Sequence, residues 1–282
     1  MKPVIKYRGG KSKEIDNLLP FFPKEYDTYL EPFFGGGALF FYLEPKKAII
    51  NDINTKLMDF YFDLKNNYSR LKKELRELQK QYEENQQRFE AEKKKHPNVR
   101  VKNDNEALYY ELRNEYNHPS GKYLNGTLYY FINKTAYSGM IRFNSSGEYN
   151  VPFGRYKNFN TELITKHHFE LIKRTKILNT DYEKVFALAK EQDFMFLDPP
   201  YDCTFNDYGN TTDESGFTEK DQRRLCKAFR RLKCKAVMVV ARTPLIEELY
   251  GDLIVGEYSK DYAVNIRNRF KNSAVHVIIK NF

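Results

Sequence analysis

Short runs that are apolar at every position alternate along the chain with longer stretches whose apolar residues recur at helical spacing. Phe194-Met195-Phe196-Leu197 is wholly apolar and too short for a helix, which predicts a strand buried on both faces. Tyr29-Leu30-Glu31 predicts a second strand, followed by Pro32-Phe33-Phe34, the turn Gly35-Gly36-Gly37 and a helix through Ala38–Leu43. Lys47–Asp52 reads as a strand ending in an acid, and Lys176–Tyr182 as one running into an acid–aromatic pair. Ala236–Val240 has the composition of a central strand, whereas Leu253–Glu257 and Ala274–Ile279 read as antiparallel strands joined by a basic loop, Asn265–Arg269. Helices are expected from Ser12-Lys13-Glu14-Ile15 to near Pro20, after the cap Thr218 through Leu225 and Phe229, and over Pro244–Tyr250.

The middle of the chain has another rhythm. Tyr68, Leu75, Tyr82 and Phe89 recur at heptad spacing with Leu64, Leu71 and Leu78 between them, predicting one long helix over Leu64–Lys95. His96-Pro97-Asn98 breaks it, and Asp104 is positioned to cap a second helix through Leu108, Leu112 and Tyr116. The pair reads as a helical hairpin packed on its own domain, with self-association through 64–95 as the alternative use of the stripe. Tyr129–Lys157 is polar and aromatic, and Asn144-Ser145-Ser146-Gly147-Glu148 predicts a hairpin turn between two short aromatic runs.

Composition narrows the partners. At 282 residues the chain can bury one large core with room for a smaller accessory domain. A net charge of +9 favours a polyanion, and 22 Tyr and 22 Phe without Trp, interleaved with Arg and Lys, suit stacking on bases. Cys203, Cys226 and Cys234 have neither zinc-site spacing nor an even count, and His167-His168 reads as a polar surface pair, so no metal and no disulfide are expected. No apolar stretch reaches the ~18 residues of a membrane span, and the expected location is the cytoplasm, at the nucleoid.

Three stretches carry candidate chemistry. After the strand at 194–197, Asp198-Pro199-Pro200-Tyr201 presents a carboxylate, a stiff turn and an aromatic ring where ligands of open α/β sheets bind. The Asp198 carboxylate and a proline carbonyl can accept both N–H bonds of a nucleobase amine, while Tyr201 stacks on the base. The glycine turn leaves room for a ligand against a helix N-terminus, and Asp52 can accept two ribose hydroxyls. Near the N-terminus, Gly9-Gly10-Lys11 offers a lysine for a carboxylate. In the middle region Arg142, Arg155 and Lys157 lie among Tyr137, Phe143, Tyr149, Phe153 and Tyr156, a composition for reading a base edge, wedging a stack and holding phosphates.

Taken in order, Lys6-Tyr7, Gly9-Gly10-Lys11, Glu31–Gly37, Asn51-Asp52, Tyr137–Arg142, Asn150–Lys157 and Asp198–Tyr201 resemble the motifs of the Dam-type, D12-class DNA N6-adenine methyltransferases over nearly the whole chain. The resemblance implies an α/β fold, a doubly wound mostly parallel sheet of the class I methyltransferase type, with a small helical and β-hairpin target-recognition domain. It divides the chain into a catalytic domain, 1–63 and 161–282, and a recognition domain, 64–160. It implies S-adenosylmethionine as cofactor, contacted by Tyr7, Lys11, Phe33, Gly35, Asp52, Asp181, Tyr182 and Asp198. It implies duplex DNA as partner, contacted by Lys6, Tyr137, Ser138, Arg142, Pro152 and Arg155, with a flipped adenine in a GATC or related GAT-containing site. The oligomeric state it leaves as monomer or weak dimer, acting with or without a restriction enzyme. The chain departs from its relatives at Ala241-Arg242, where they often have Ser-Asn, and at Ser138, often Asn. Rival readings are a cytosine-N4 methyltransferase, which more often has Ser in place of Asp198, an RNA or protein amide methyltransferase, which usually has Asn there, and a DNA-binding module with decayed activity.

Overall fold

The computed structural model describes residues 1–7, 9–201, 217–261 and 273–282; the polar segment Asp202–Gly216, Cys203 within it, and the basic loop Asn265–Arg269 lie outside the described residues. The elements run α1 (Ile15–Leu18), β1 (Tyr29–Glu31), α2 (Ala38–Leu43), β2 (Ala48–Asn51), α3 (Thr55–Asn66), α4 (Tyr68–Lys95), α5 (Asp104–Asn117) and α6 (Asn125–Thr135). They continue as α7 (Lys166–Lys173), β3 (Lys176–Leu178), α8 (Tyr182–Phe186), β4 (Phe194–Leu197), α9 (Glu219–Phe229), β5 (Lys235–Ala241), α10 (Pro244–Tyr250), β6 (Ile254–Asp261) and β7 (Ser273–Lys280).

The strands form one sheet in the order β3-β2-β1-β4-β5-β7-β6. The first five are parallel, and β7 enters antiparallel between β5 and β6. Alternate residues of each central strand feed different cores. Tyr29, Ile50, Phe194, Phe196, Val237 and Val239 join one apolar cluster, and Leu30, Met195, Leu197, Ala236, Met238 and Val240 join the other. The sheet is therefore covered on both faces, as the unbroken apolar runs require. Each of the four fully buried side chains of β4 contributes roughly 1.5–3 kcal/mol. Strand order reverses between β1 and β4, and the carboxyl ends of these two strands define the crevice where such sheets bind ligands.

The first cluster continues into the helical region: Leu71, Leu75, Leu78 and Tyr82 of α4 are buried with Leu108 and Tyr109 of α5 and Phe131 of α6. The heptad stripe from Leu71 to Tyr82 is thus used within the chain, while Phe89 is half-buried and the rest of the last two turns of α4 is mostly charged and exposed. The Tyr82 hydroxyl donates to the Tyr156 carbonyl at 2.5 Å, and Lys72 Nζ donates to the carbonyls of Thr161 and Ile164 at 3.0 and 3.1 Å. Leu64 belongs to α3, because the chain breaks at Asn67 before α4 begins. Gly126 brings α6 onto α3: a Cβ there would fall 2.9 Å from the Asp63 Cβ.

Two local expectations are corrected. Asn103, not Asp104, caps α5, its side chain accepting from the Asn105 amide at 2.9 Å while Asp104 is already helical. His168 is not a surface residue. It closes the capping box of α7 with Thr165, its Nε2 lies 3.0 Å from the Lys2 carbonyl, and burial holds its pKa below the usual value. His167, the neighbour that does face solvent, pairs with Glu44 at 3.0 Å.

Candidate active site

A cleft of about 340 Å³ opens at the crevice between the ends of β1 and β4. Tyr7, Lys11, Phe33, Gly35, Asp52, Asp181, Tyr182, Asp198 and Pro199, which sequence reasoning drew from five separate stretches, all line it. At its floor Lys11 Nζ donates to Asp198 Oδ2 at 2.6 Å and to the Gly9 carbonyl at 3.0 Å. The lysine is 3 % exposed and the aspartate 22 %. Such a charge-assisted bond fixes the carboxylate while leaving it open to the cleft. The Tyr201 hydroxyl donates to Asp198 Oδ1 at 3.2 Å. Tyr201 itself does not line the cleft; it is 8 % exposed and lies behind the aspartate. Pro199 and Pro200 both line the cleft, and the Pro200 carbonyl accepts from Gln222 at 2.9 Å.

Asn51 ties together the three strand ends that shape the opposite wall. Its Nδ2 donates to the carbonyls of Pro32 and Thr180 at 2.9 and 3.0 Å, and its Oδ1 accepts from the Thr180 amide at 3.0 Å. Asp52 accepts from the amides of Gly35 and Asn54 at 2.8 and 2.9 Å. Burial nevertheless lifts its pKa above the usual carboxylate value, the amide bonds offsetting part of the effect. Glu31, bonded by the Tyr29 hydroxyl at 2.8 Å, is raised further by complete burial, with Asp198 and Asp52 adding to the rise.

The glycine turn lines the cleft and is also closely packed from within. A Cβ on Gly35 would lie 2.8 Å from the Tyr7 ring, and one on Gly36 would lie 2.9 Å from Tyr7 Cβ. The space these residues leave is filled by Tyr7, a side chain of the protein, which then forms the cleft wall. Gly37 leaves its space to the buried ring of Phe34.

Several participants were not foreseen. Arg224 of α9 reaches the cleft and bonds Asp181 Oδ2 at 2.6 Å and the Tyr182 hydroxyl at 2.9 Å, its guanidinium 4.8 Å from that ring's centre. Phe33 packs 5.2 Å from Tyr182 and edge-on to Phe217 at 6.3 Å. Behind Tyr201 lies His276 of β7, fully buried and edge-on at 5.1 Å. His276 Nδ1 is 3.2 Å from Glu14 Oε2, which also accepts from the Tyr258 hydroxyl at 2.5 Å, while Lys260 pairs with the other carboxylate oxygen. No spacing rule joins residues 14 and 276. Glu14, just ahead of α1, is 5 % exposed, and the sequence signals only a His within the apolar run of β7.

That cluster has a measurable pH signature. Burial alone would raise the Glu14 pKa, but His276, Lys11, Lys260 and Tyr258 together lower it from 4.5 to about 2. A lowered pKa contributes stability that is present above the unfolded value and is lost as pH falls from about 4.5 towards 2. The stability gap between the wild type and Glu14→Gln, from urea unfolding, is expected to shrink by roughly 2 kcal/mol between pH 6 and pH 3. A gap independent of pH contradicts the pairing.

The DNA-directed candidates lie outside the cleft. Tyr137, 47 % exposed, begins a short turn after α6 and its amide donates to the Pro152 carbonyl at 2.9 Å. Pairing of Ala136 with Phe153 and of Phe143 with Tyr149 gives the expected hairpin, closed by Asn144 accepting from the Ser146 and Glu148 amides. Arg142 Nε donates to Asn150 Oδ1 at 2.8 Å. Ser138 and Arg155 both have φ of 55°. A left-handed serine is strained where asparagine is better tolerated. Lys6 Nζ stands 4.3 Å over the Tyr156 ring, and partial desolvation lowers its pKa; Lys134 is pushed down to about 8 by partial burial and by the Lys6 charge. Arg242, at the other departure, turns away to Glu247 and Glu257 and does not line the cleft.

Strand order, covered faces and a cleft at the reversal point are consistent with the class I methyltransferase fold. The chain belongs to the D12 class of N6 adenine-specific DNA methyltransferases, whose family profile matches residues 7–266. It is 31 % identical to the type II methyltransferase M.CviBI of Paramecium bursaria Chlorella virus NC1A over the full length of both chains. It is 34 % identical to the type II methyltransferase M.MjaIII of Methanocaldococcus jannaschii, covering 91 % of this chain and 89 % of that one. The retron Ec67 DNA adenine methylase of Escherichia coli is 27 % identical, with 99 % and 90 % covered. The protein is thus an adenine-specific DNA methyltransferase, and no helix among its described residues is long and apolar enough to cross a membrane.

Proposed function

We propose that the protein methylates N6 of an adenine flipped out of duplex DNA, in a GATC or related GAT-containing site. In this reading residues 1–63 and 161–282 hold S-adenosylmethionine and 64–160 read the target. The observation that carries it is the Lys11–Asp198 pair at the end of β4, which aims a fixed carboxylate into the cleft.

The donor set fits the cofactor. An aromatic wall of Phe33 and Tyr182 suits the adenine ring, Asp52 and Asp181 suit hydroxyl and amine donors, and the carboxylate of Asp198 suits a cation. Bound there, S-adenosylmethionine supplies an electrophilic methyl group on a sulfonium. Tyr7 and Gly35 border the site, and Lys11 keeps Asp198 oriented. A carboxylate has about four acceptor positions, so Asp198 retains capacity beyond its bonds to Lys11 and Tyr201. Asp198 and the Pro199 carbonyl accept the two N–H bonds of the target amine, which brings its lone pair out of conjugation and localises it on nitrogen. They also offset the positive charge that develops there before the extra proton is lost. Tyr201 stacks on the extruded base once its ring is uncovered, its hydroxyl meanwhile bracing Asp198.

Extrusion is required because the amine inside a duplex is beyond the reach of a bound cofactor. Tyr137 enters the vacated stack, Ser138 meets the orphaned partner base, and Lys6 and Arg142 contact base edges, with Pro152 and Arg155 completing the surface. With 2-aminopurine at the target position, fluorescence should rise on binding, and methylation-aware sequencing of DNA from expressing cells should return a GAT core; an unchanged signal or a site without GAT overturns the corresponding part. Arg142→Ala is expected to weaken cognate binding by roughly 10–100-fold while changing binding to unrelated duplex far less. Equal losses on both duplexes would reduce Arg142 to a phosphate contact.

A further inference from the structure

Residues 6 and 7 are consecutive yet face opposite parts of the molecule. Tyr7 lines the cleft and lies against Gly35 and Gly36, whereas the Lys6 side chain runs past Gly139 to the Tyr156 ring. One side chain holds the main chain between them. Asn133, 5 % exposed on the last turn of α6, accepts from the Lys6 amide at 2.9 Å and donates to the Lys6 carbonyl at 2.7 Å. Both bonds are satisfied in a single amide orientation, and no carboxylate or aliphatic side chain of that size offers a donor and an acceptor together. Four residues on, α6 has given way to the turn that carries Tyr137, whose amide is pinned to Pro152, and Gly139, where a Cβ would come within 3.2 Å of Lys6 Cδ.

We propose that Asn133 is a positioning residue that couples cofactor occupancy to target reading, by tying the Tyr7 backbone segment to the helix end from which Tyr137 projects. The proposal rests on the assignment of Tyr7 to the cofactor and of Lys6 and Tyr137 to DNA. A cofactor that settles the Tyr7 ring restricts the Lys6–Tyr7 peptide. Through two short hydrogen bonds that restriction passes to α6, lowering the ordering cost that DNA must meet when it engages Lys6 and Tyr137. Such coupling is reciprocal, so duplex tightens cofactor by the same factor. Its structural economy lies in using no domain movement, only a strap two residues long.

The test uses the full-length protein, S-adenosylhomocysteine and a duplex carrying the methylated site. In the wild type, S-adenosylhomocysteine is expected to tighten duplex binding about tenfold, and duplex to tighten S-adenosylhomocysteine equally. Asn133→Ala should bring that factor to within about twofold of one, while lowering the melting temperature because the Lys6 amide and carbonyl lose their buried partner, and with the protein still folded at the assay temperature. Asn133→Asp keeps the acceptor for the Lys6 amide and loses the donor, and should retain an intermediate factor. In the wild type without DNA, S-adenosylhomocysteine should slow hydrogen exchange across residues 129–139. That measurement needs no variant and stands even if position 133 proves intolerant. Undiminished coupling in Asn133→Ala, or exchange in 129–139 indifferent to S-adenosylhomocysteine, overturns the proposal. The underlying assignments are checked separately: if Tyr7→Ala leaves cofactor affinity unchanged, or Lys6→Ala leaves duplex affinity unchanged, the reading beneath the coupling fails instead.

Discussion

Asp198→Ala is expected to lower kcat for methyl transfer by at least about 10³-fold while duplex affinity changes only a few-fold. Removing the carboxylate takes away an acceptor for the target amine and the compensating charge opposite the nitrogen as it becomes cationic. It also strands Lys11, whose ammonium is 3 % exposed and pairs with Asp198 at 2.6 Å. An uncompensated buried cation costs several kcal/mol and repels a sulfonium placed nearby, so cofactor affinity should fall as well. Lys11→Met in the same background separates the two effects. In the double variant the stranded charge is gone, so cofactor affinity should partly recover while kcat stays low. Single-turnover transfer of tritiated methyl groups measures the chemical step, and a loss of less than tenfold would mean that Asp198 does not touch the reacting nitrogen.

Gly37→Ala should destabilise the protein by roughly 2–5 kcal/mol, which combines left-handed strain with overpacking. The residue has φ of 67°, and a Cβ there would lie 2.4 Å from Phe34 Cζ. Phe34 is 2 % exposed and is hemmed in by Tyr61 at 4.8 Å and Phe40 at 5.4 Å, so the ring has nowhere to retreat. Gly35→Ala meets the half-buried Tyr7 ring at 2.8 Å. Its main effect should be a higher KM for S-adenosylmethionine with a smaller loss of stability. Thermal unfolding and cofactor titration of the two variants distinguish these roles, and equal melting temperatures would show that Phe34 yields as readily as Tyr7.

The contrast between those glycines marks what could be read from the chain. Strands such as Phe194–Leu197 were legible because burial on two faces demands an unbroken apolar run, and the heptad stripe of α4 because helical packing demands period. The carboxylates Asp52 and Asp198 were legible because each terminates a strand. What escaped depends on distances in space that no local pattern encodes. Tyr7 packs where a Cβ on Gly35 or Gly36 would stand. His168 is buried because the Lys2 carbonyl lies within its reach, and Arg224 enters the cleft because α9 packs beside α8. Asn103 and Asp104 are both residue types that cap helices, and only the backbone geometry separates them.

The position of β7 has a consequence for how the protein is made. This strand is later in the chain than every other described strand, yet it lies inside the sheet, hydrogen-bonded to β5 on one side and β6 on the other. A ribosome releasing the chain from its N-terminus must therefore leave the edge of β5 bare until residues 273–280 emerge, and an uncovered hydrophobic edge invites pairing between nascent chains. His276 arrives on that same strand, so the support behind Tyr201 is fitted last. Chains truncated before residue 273 should therefore aggregate instead of giving a slow enzyme.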